Sequence, residues 1–236
     1  MKQSFVKLAV VAAFALSASL SASAAIITYT LNDEFSGGTT PEGTFTATFN
    51  DEICGVACVQ LTMSATGTAT AEFVDEWLFN FAPESELGNL VFAPVSGVPT
   101  GTTVAVGADA FKADGGNDFD IRFDFPSSNS GGGIFRFNVG DANVIYNIRG
   151  VSGLSVTNFD LVSDSLGGNQ GGAHTAAHIQ GIAPNAALSG WITDTPNGGG
   201  GGGGDPGGEV PEPGALWLLG IGLVGLALAR RRKNQP

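Results

Sequence analysis

The chain has 236 residues, of which 43% are hydrophobic and only 14% charged, and its 16 phenylalanines are enough for the core of one domain. The formal net charge is −12, and only four basic residues accompany all 22 acidic residues in the stretch 33–212. A surface of this sign repels phosphate backbones, so the composition excludes a nucleic acid as partner.

The first 24 residues have the features of a secretory signal peptide. Lys2 and Lys7 form a positively charged region before an apolar run over residues 8–20. Ala22-Ser23-Ala24 then fits the small-residue cleavage pattern. We expect cleavage after Ala24 or, one residue further on, after Ala25. The protein is therefore expected to leave the cytoplasm through the secretion machinery.

Residues 25–196 form the exported domain, in which apolar and polar residues alternate between dense turns. A period of two is typical of antiparallel strands with one buried face. The clearest strand covers residues 118–125, and we expect it to pair with residues 134–139 in a hairpin with a long loop. The other predicted strands cover residues 26–31, 44–49, 59–73, 76–81, 144–149 and 154–161. The pattern predicts an all-β domain, an antiparallel β-sandwich of jelly-roll-like type.

Cys54 and Cys58 are the only cysteines in the chain. In an oxidising compartment, so close a pair predicts a local disulfide that pins the connection between two strands. A metal site would need two further ligands nearby, and the local sequence does not supply them.

Four oxygen-bearing side chains surround a glycine turn, namely Asp114, Asn117, Asp118 and Asp120. Calcium takes six to eight oxygen ligands, so this segment is a candidate calcium site. The spacing departs from the EF-hand pattern, and the alternative is a solvated turn that enters a strand. Calcium is the only cofactor that the sequence suggests.

His174 and His178 are the only histidines, and their spacing places both on one face of a helix or of a strand. Such a pair can bind zinc, but no carboxylate lies between Asp164 and Asp194 to complete a site. We therefore expect a surface or partly buried pair.

Threonines alternate in two runs, so on strands each run lies on one face. The runs are Thr44, Thr46 and Thr48, and then Thr62, Ser64, Thr66, Thr68 and Thr70. Flat threonine arrays occur on ice-binding surfaces, whereas the alternative is a polar solvent face made of β-favouring residues. Two short runs do not make an extended array, so ice binding is not the favoured prediction.

The sequence contains no nucleophile elbow, no zinc-protease helix motif and no phosphate loop. The acid pairs Asp51-Glu52 and Asp75-Glu76 could serve glycoside hydrolysis, but adjacent strand residues point to opposite faces. We expect no enzymatic activity.

Residues 197–209 include seven consecutive glycines and predict a flexible tether. The uncharged apolar segment 214–229 follows, and as a helix it would span about 24 Å, slightly less than a hydrocarbon core. The four cations at 230–233 come directly after it. This asymmetry predicts one transmembrane helix with the cations in the cytoplasm and the domain outside.

Just before that segment, two prolines flank a glutamate and keep the backbone extended. The order of motif, apolar helix and basic cluster resembles the PEP-CTERM sorting signal, which is also catalogued as the "ice-binding protein C-terminal" domain. The resemblance covers residues 210–233. The residues that carry it are Val210, Pro211, Glu212, Pro213, Arg230, Arg231 and Arg232.

The resemblance implies handling by an exosortase, a membrane cysteine transpeptidase-like enzyme of Gram-negative bacteria that secrete exopolysaccharide. The C-terminal helix would anchor the chain in the inner membrane before processing, and the product would reach the cell surface or the extracellular matrix. We expect a structural or adhesive role there. A calcium-assisted glycan-binding module is the alternative, with Trp77 or Trp191 as stacking residues, and an ice-binding protein or a secreted hydrolase ranks lower.

Overall fold

The structure is a computed structural model that describes residues 25–67, 71–128, 136–138, 143–163, 172–183 and 186–194. These residues form twelve strands and two short 3₁₀ helices, η1 and η2. The strands are β1 (Ile26–Leu31), β2 (Asp33–Ser36), β3 (Thr44–Asn50), β4 (Val59–Thr66), β5 (Phe73–Phe79), β6 (Val91–Ser96), β7 (Thr103–Ala113), β8 (Gly116–Asp124), β9 (Phe137–Asn138), β10 (Val144–Arg149), β11 (Thr175–Ile182) and β12 (Leu188–Thr193). The helices are η1 (Glu84–Asn89) and η2 (Val156–Phe159).

The strands pair in antiparallel fashion in two sheets. Sheet A has the order β1-β3-β4-β10-β6, and sheet B has the order β2-β12-β11-β5-β8-β7, with β9 paired to β5. The predicted all-β antiparallel sandwich is confirmed at this level. The jelly-roll-like connectivity stays a prediction.

The core lies between the two sheets and is rich in aromatic rings. Phe49 of sheet A meets Phe79 of sheet B with ring centroids 5.3 Å apart, and Tyr146 meets Phe123 at 5.1 Å. Phe159, from η2, stacks on Phe49 at 4.5 Å and closes one end. Strict alternation in β3 and β4 supplies this core, because every second side chain points inward.

Among the described residues, those of the segment 134–139 do not pair with the strand over residues 118–125, as the predicted hairpin requires. The strand over residues 118–125 exists as β8, but its partners are β7 and β5, and β9 pairs with a different part of β5. Asp114 and Gly115 both have positive φ between the paired residues Ala113 and Gly116. This two-residue turn joins β7 to β8 directly, as in tight hairpins of the I′ type.

Two further predicted strands were wrong. The single strand predicted over residues 59–73 is two strands, since β4 ends at Thr66 and β5 begins at Phe73 in the other sheet. Residues 154–161 contain η2 instead of a strand, because Ser155 and Asn158 form a capping box that starts a helical turn. The pattern also missed β2, β6, β7, β11 and β12. In β6 and β7 most side chains are exposed, so the apolar alternation is weak.

The disulfide prediction is confirmed, since Cys54 and Cys58 are bonded within the connection from β3 to β4. Arg149 Nη2 donates a hydrogen bond to the Cys54 carbonyl at 2.8 Å and ties this connection to β10. Within the described residues, no helix is long and apolar enough to cross a membrane. The predicted signal peptide (1–24), tether (197–209) and sorting segment (210–233) lie outside the described residues.

Candidate functional site

One polar cluster lies on the face of sheet B that points away from the core. His178 of β11 stands opposite Glu76 of β5 and Trp191 of β12, and Glu76 in turn stands opposite Asp124 of β8. His178 stacks on Trp191 with ring centroids 4.9 Å apart, and its Nδ1 lies 2.7 Å from Asp75 Oδ1. That contact is an ion pair if His178 is protonated, but it does not have the alignment of a hydrogen bond.

A bulge brings Asp75 and Glu76 to this cluster. Between β5 and β11 the register steps from Glu76↔His178 to Val74↔Ile179, which leaves Asp75 without a partner residue. Asp75 contacts His178 and also accepts a hydrogen bond from Gln180 Nε2. The expectation that adjacent acids on this strand point to opposite faces is therefore wrong here, because the bulge interrupts the alternation.

Glu76 is the titratable group of the cluster whose proton affinity changes most. Burial raises the pKa of Glu76 to about 7, and the negative charges of Asp124 and Asp75 add to the rise, while Arg122 and His178 oppose it. A carboxyl in this environment changes charge close to neutral pH. The cluster therefore couples the charge of the sheet face to pH.

Glu76→Gln is expected to alter the pH dependence of stability. Because the pKa of Glu76 is raised, the folded state binds the Glu76 proton more tightly than the unfolded chain does. Protonation of Glu76 therefore stabilises the fold fully below pH 4.5, and this stabilisation is lost as the pH rises through 7. Glutamine stays neutral, so the variant should match wild type near pH 4 and exceed its stability by about 1 kcal/mol at pH 8. Urea unfolding at both pH values measures this difference.

The control for this prediction is Glu52→Gln, since Glu52 is an exposed acid in the β3–β4 connection. It should not alter the pH profile. A Glu76→Gln profile parallel to that of wild type would contradict the pKa assignment.

The two tryptophans proposed for sugar stacking have different surroundings. Trp77 is fully buried between the sheets, and its Nε1 donates to Thr175 Oγ1 at 2.8 Å, so its proposed role in stacking on a glycan is wrong. Trp191 is half-buried on the outer face of sheet B, between His178 and Phe35. Trp191 is the one of the two that an external ligand could reach.

His174 belongs to a separate cluster that joins both sheets near the end of the domain. Its Nδ1 lies 2.7 Å from Asp194 Oδ2 and its Nε2 lies 3.4 Å from Asp160 Oδ1, while the Tyr29 ring stacks on the imidazole. The Tyr29 hydroxyl donates to Asp160 at 2.9 Å. Burial raises the pKa of Asp194, and the hydrogen bond from His174 opposes that rise. These contacts pair the polar atoms of His174 and Asp194, and they connect β1 of sheet A with the ends of β11 and β12 in sheet B.

The predicted calcium residues do not lie together in one loop. Asp114 is in the β7–β8 turn and accepts a hydrogen bond from Ser36, whereas Asp118 pairs with Lys112 at 3.6 Å. Asp120 is buried on β8, and its two oxygens accept the backbone N–H groups of Phe81 and Asp109, both at 2.9 Å. Asn117 lies within β8.

The structure instead brings Asp120 to two acids that the sequence did not indicate. Carboxylate oxygens of Glu84, Asp109 and Asp120 lie within 4.8 Å of one another, and Glu84 and Asp109 are exposed. In the part of the chain that the structure describes, neither histidine joins such a group of three. Burial raises the pKa of Asp120, although its two backbone hydrogen bonds oppose that rise. Calcium binding stays a prediction.

The threonine runs lie side by side in sheet A and form a larger array than their sequence suggested. The register aligns Thr28, Thr48 and Thr62 in one row, Thr30, Thr46 and Ser64 in a second, and Thr44 with Thr66 in a third. We call these eight residues the Thr/Ser face. The opposite face of the same strands is buried. Residues 68 and 70, the other members of the predicted run, lie outside the described residues.

The Thr/Ser face is uncharged and accessible. Its side chains are spaced at about 4.8 Å across the strands and about 6.8 Å along them. Thr28, Thr30, Thr44 and Thr66 are exposed, and the other four are half-buried. The Thr28 and Thr48 hydroxyls are hydrogen-bonded at 2.9 Å. The face offers hydroxyl groups and methyl groups in regular rows, in an otherwise acidic protein.

The comparison with known families identifies a motif at the C-terminal end of the chain. Residues 209–233 match the PEP-CTERM protein-sorting motif, in agreement with the resemblance seen in residues 210–233. No curated protein and no solved structure gives a significant match to the chain. The motif indicates a protein that is sorted by an exosortase to the outside of the cell. It does not describe the activity of the domain at residues 25–196.

Proposed function

We propose that this chain, which carries a PEP-CTERM sorting motif at its C-terminal end, is a structural or adhesive protein of the cell surface or the exopolysaccharide matrix. The motif at residues 209–233 is the single observation that carries the proposal. A signal peptide directs export, the apolar segment 214–229 holds the chain in the inner membrane, and an exosortase then removes that segment. The domain reaches the exterior on its glycine tether.

The Thr/Ser face is the surface through which the domain adheres. An array of hydroxyls and methyls in regular rows suits a polysaccharide, because sugars present hydroxyls and apolar C–H patches in alternation. The eight side chains carry no charge, so the face does not add to the repulsion that the acidic domain exerts on anionic polymers. We expect a non-enzymatic role. At the pair Asp75-Glu76, Asp75 accepts a hydrogen bond from Gln180 and lies beside His178, so this pair does not present two free carboxylates.

A calcium-assisted glycan-binding module is the alternative. The observation that favours it is the group formed by Glu84, Asp109 and Asp120, whose oxygens are close enough to share one cation. Calcium held there would have free coordination positions for sugar hydroxyls. This alternative places the glycan at the β7–β8 side of sheet B, whereas the adhesive proposal places it on sheet A.

Co-sedimentation of the exported protein with the exopolysaccharide of the producing cell tests the adhesive proposal and the calcium alternative. We expect binding that is equal in calcium and in chelator, and that falls about fivefold in Thr30→Lys, which places a charged side chain in the Thr/Ser face. Thr100→Lys adds the same charge at an exposed turn and is the matched control. Binding that is lost in chelator and in Asp109→Asn supports the calcium alternative, and no binding in any condition contradicts an adhesive role.

Ice binding is a third candidate function, and the Thr/Ser face is the observation that favours it. The register aligns the threonine runs across three adjacent strands, which gives a larger array than the two runs in sequence. Partitioning of the exported protein into growing ice tests this candidate, with Thr30→Lys and Thr100→Lys as the variant and its control. Equal exclusion of wild type and Thr30→Lys from ice would contradict it.

A further inference from the structure

Ala25, at the start of the described chain, is held by Asp51. The Ala25 N–H donates to Asp51 Oδ1 at 2.7 Å, and the Asp51 N–H donates to the Ala25 carbonyl at 3.3 Å. These contacts extend the β1–β3 ladder, in which Ile26 stands opposite Asn50. Ala25 is half-buried and packs against the main core. Its position is therefore fixed by both backbone and side-chain contacts.

Both carboxylate oxygens of Asp51 accept hydrogen bonds from backbone N–H groups. Its Oδ2 accepts the Val156 N–H, at the start of η2, at 3.3 Å. Among the described residues, no lysine, arginine or histidine forms an ion pair with it. The half-buried carboxylate thus lies where β1, the β3–β4 connection and η2 meet. A positive charge at the Ala25 nitrogen would supply a counter-ion that none of the described residues provides.

We infer that Asp51 is the binding site for the α-ammonium group that forms when the signal peptide is cut after Ala24. This inference rests on the proposed export of the chain. A peptidase of the export machinery hydrolyses the Ala24–Ala25 bond with one water molecule; the carboxylate remains on Ala24, and the amine of Ala25 takes up a proton. The amide that donates one hydrogen bond to Asp51 then becomes an ammonium with three donors.

The geometry distinguishes the two cleavage positions that the sequence left open. A distance of 2.7 Å between Ala25 N and Asp51 Oδ1 already lies in the range of charge-assisted N⁺–H···O⁻ bonds. Cleavage after Ala25 would remove this donor and the Ala25 carbonyl together, and would leave one oxygen of Asp51 without its partner. Cleavage after Ala24 keeps both contacts and adds a charge to one of them.

Two measurements on the exported protein test the inference. Mass spectrometry of the N-terminal peptide should identify Ala25 as the first residue. The rate at which an acylating reagent labels the α-amine near neutral pH should be about threefold lower in wild type than in Asp51→Asn, because a paired ammonium gives up its proton less readily. Lys112, whose side chain is 59% exposed, is the internal reference for reagent activity.

Glu52→Gln is the matched control, since it removes the neighbouring exposed negative charge. Its α-amine should be labelled at the wild-type rate. A mature chain that begins at Ile26, or equal labelling of wild type and Asp51→Asn, would overturn the pairing and leave export intact. A chain that retains Met1 would overturn both the export proposal and the pairing, because no α-ammonium would form at Ala25.

Discussion

Replacement of Pro211, Glu212 and Pro213 by alanine is expected to abolish C-terminal processing. The unprocessed chain should then accumulate in the membrane fraction, with less than about a tenth of the wild-type amount at the cell surface or in the matrix. Residues 209–233 match the sorting motif, and the sequence predicts that Pro211 and Pro213 keep the motif extended, as an enzyme that reads a peptide beside the membrane requires. Cell fractionation, with the mass of each product, measures the outcome.

Asp205→Ala is the control for this prediction, since Asp205 lies in the glycine-rich tether outside the matched motif. It should be processed and delivered like wild type. Normal delivery of the triple variant would show that the motif is not used as a sorting signal, and the proposed location would fail with it. Loss of delivery in both variants would point instead to a requirement of the tether.

Trp77→Ala is expected to lower the free energy of unfolding by about 3–5 kcal/mol, which is a large part of the stability of a domain of this size. Trp77 is fully buried between the sheets and stacks on Phe79 and Phe137 at 6.2 and 6.1 Å. Its indole N–H donates to Thr175, whose hydroxyl donates in turn to the Leu78 carbonyl. Alanine leaves a cavity at the centre of the core. Urea unfolding followed by circular dichroism measures the loss.

Trp77→Phe separates packing from hydrogen bonding at the same position. It keeps most of the ring stacking and removes the donor to Thr175, so we expect a loss of about 1–2 kcal/mol. Val95→Ala, on the exposed edge strand β6, should change the stability by less than about 0.5 kcal/mol. A loss at Trp77→Ala no larger than that at Val95→Ala would contradict the assigned core.

Features that depend on neighbours in the chain were predictable from the sequence. Buried and less buried residues alternate strictly in β3, β4 and β10, and apolar and polar residues alternate in the sequence of β8. The sequence placed these strands within a few residues or, for β4, at the correct start. The disulfide followed from two cysteines four residues apart, and the sorting motif from a short segment read in order. Each of these signals lies within one stretch of chain, so no knowledge of the fold was needed.

Features that depend on register between distant strands were decided only by the tertiary structure. A bulge places Asp75 on the face that carries Glu76 and His178. The packing of β7, β8 and η1 places Asp120 next to Asp109 and Glu84.

The Thr/Ser face and the contact between Ala25 and Asp51 also arise from the pairing of β1 with β3 and of β3 with β4. The sequence by itself determined the sorting signal, the disulfide and the all-β class. Which polar groups meet on a surface was set by strand pairing, because a shift of one residue in register turns every side chain to the other face.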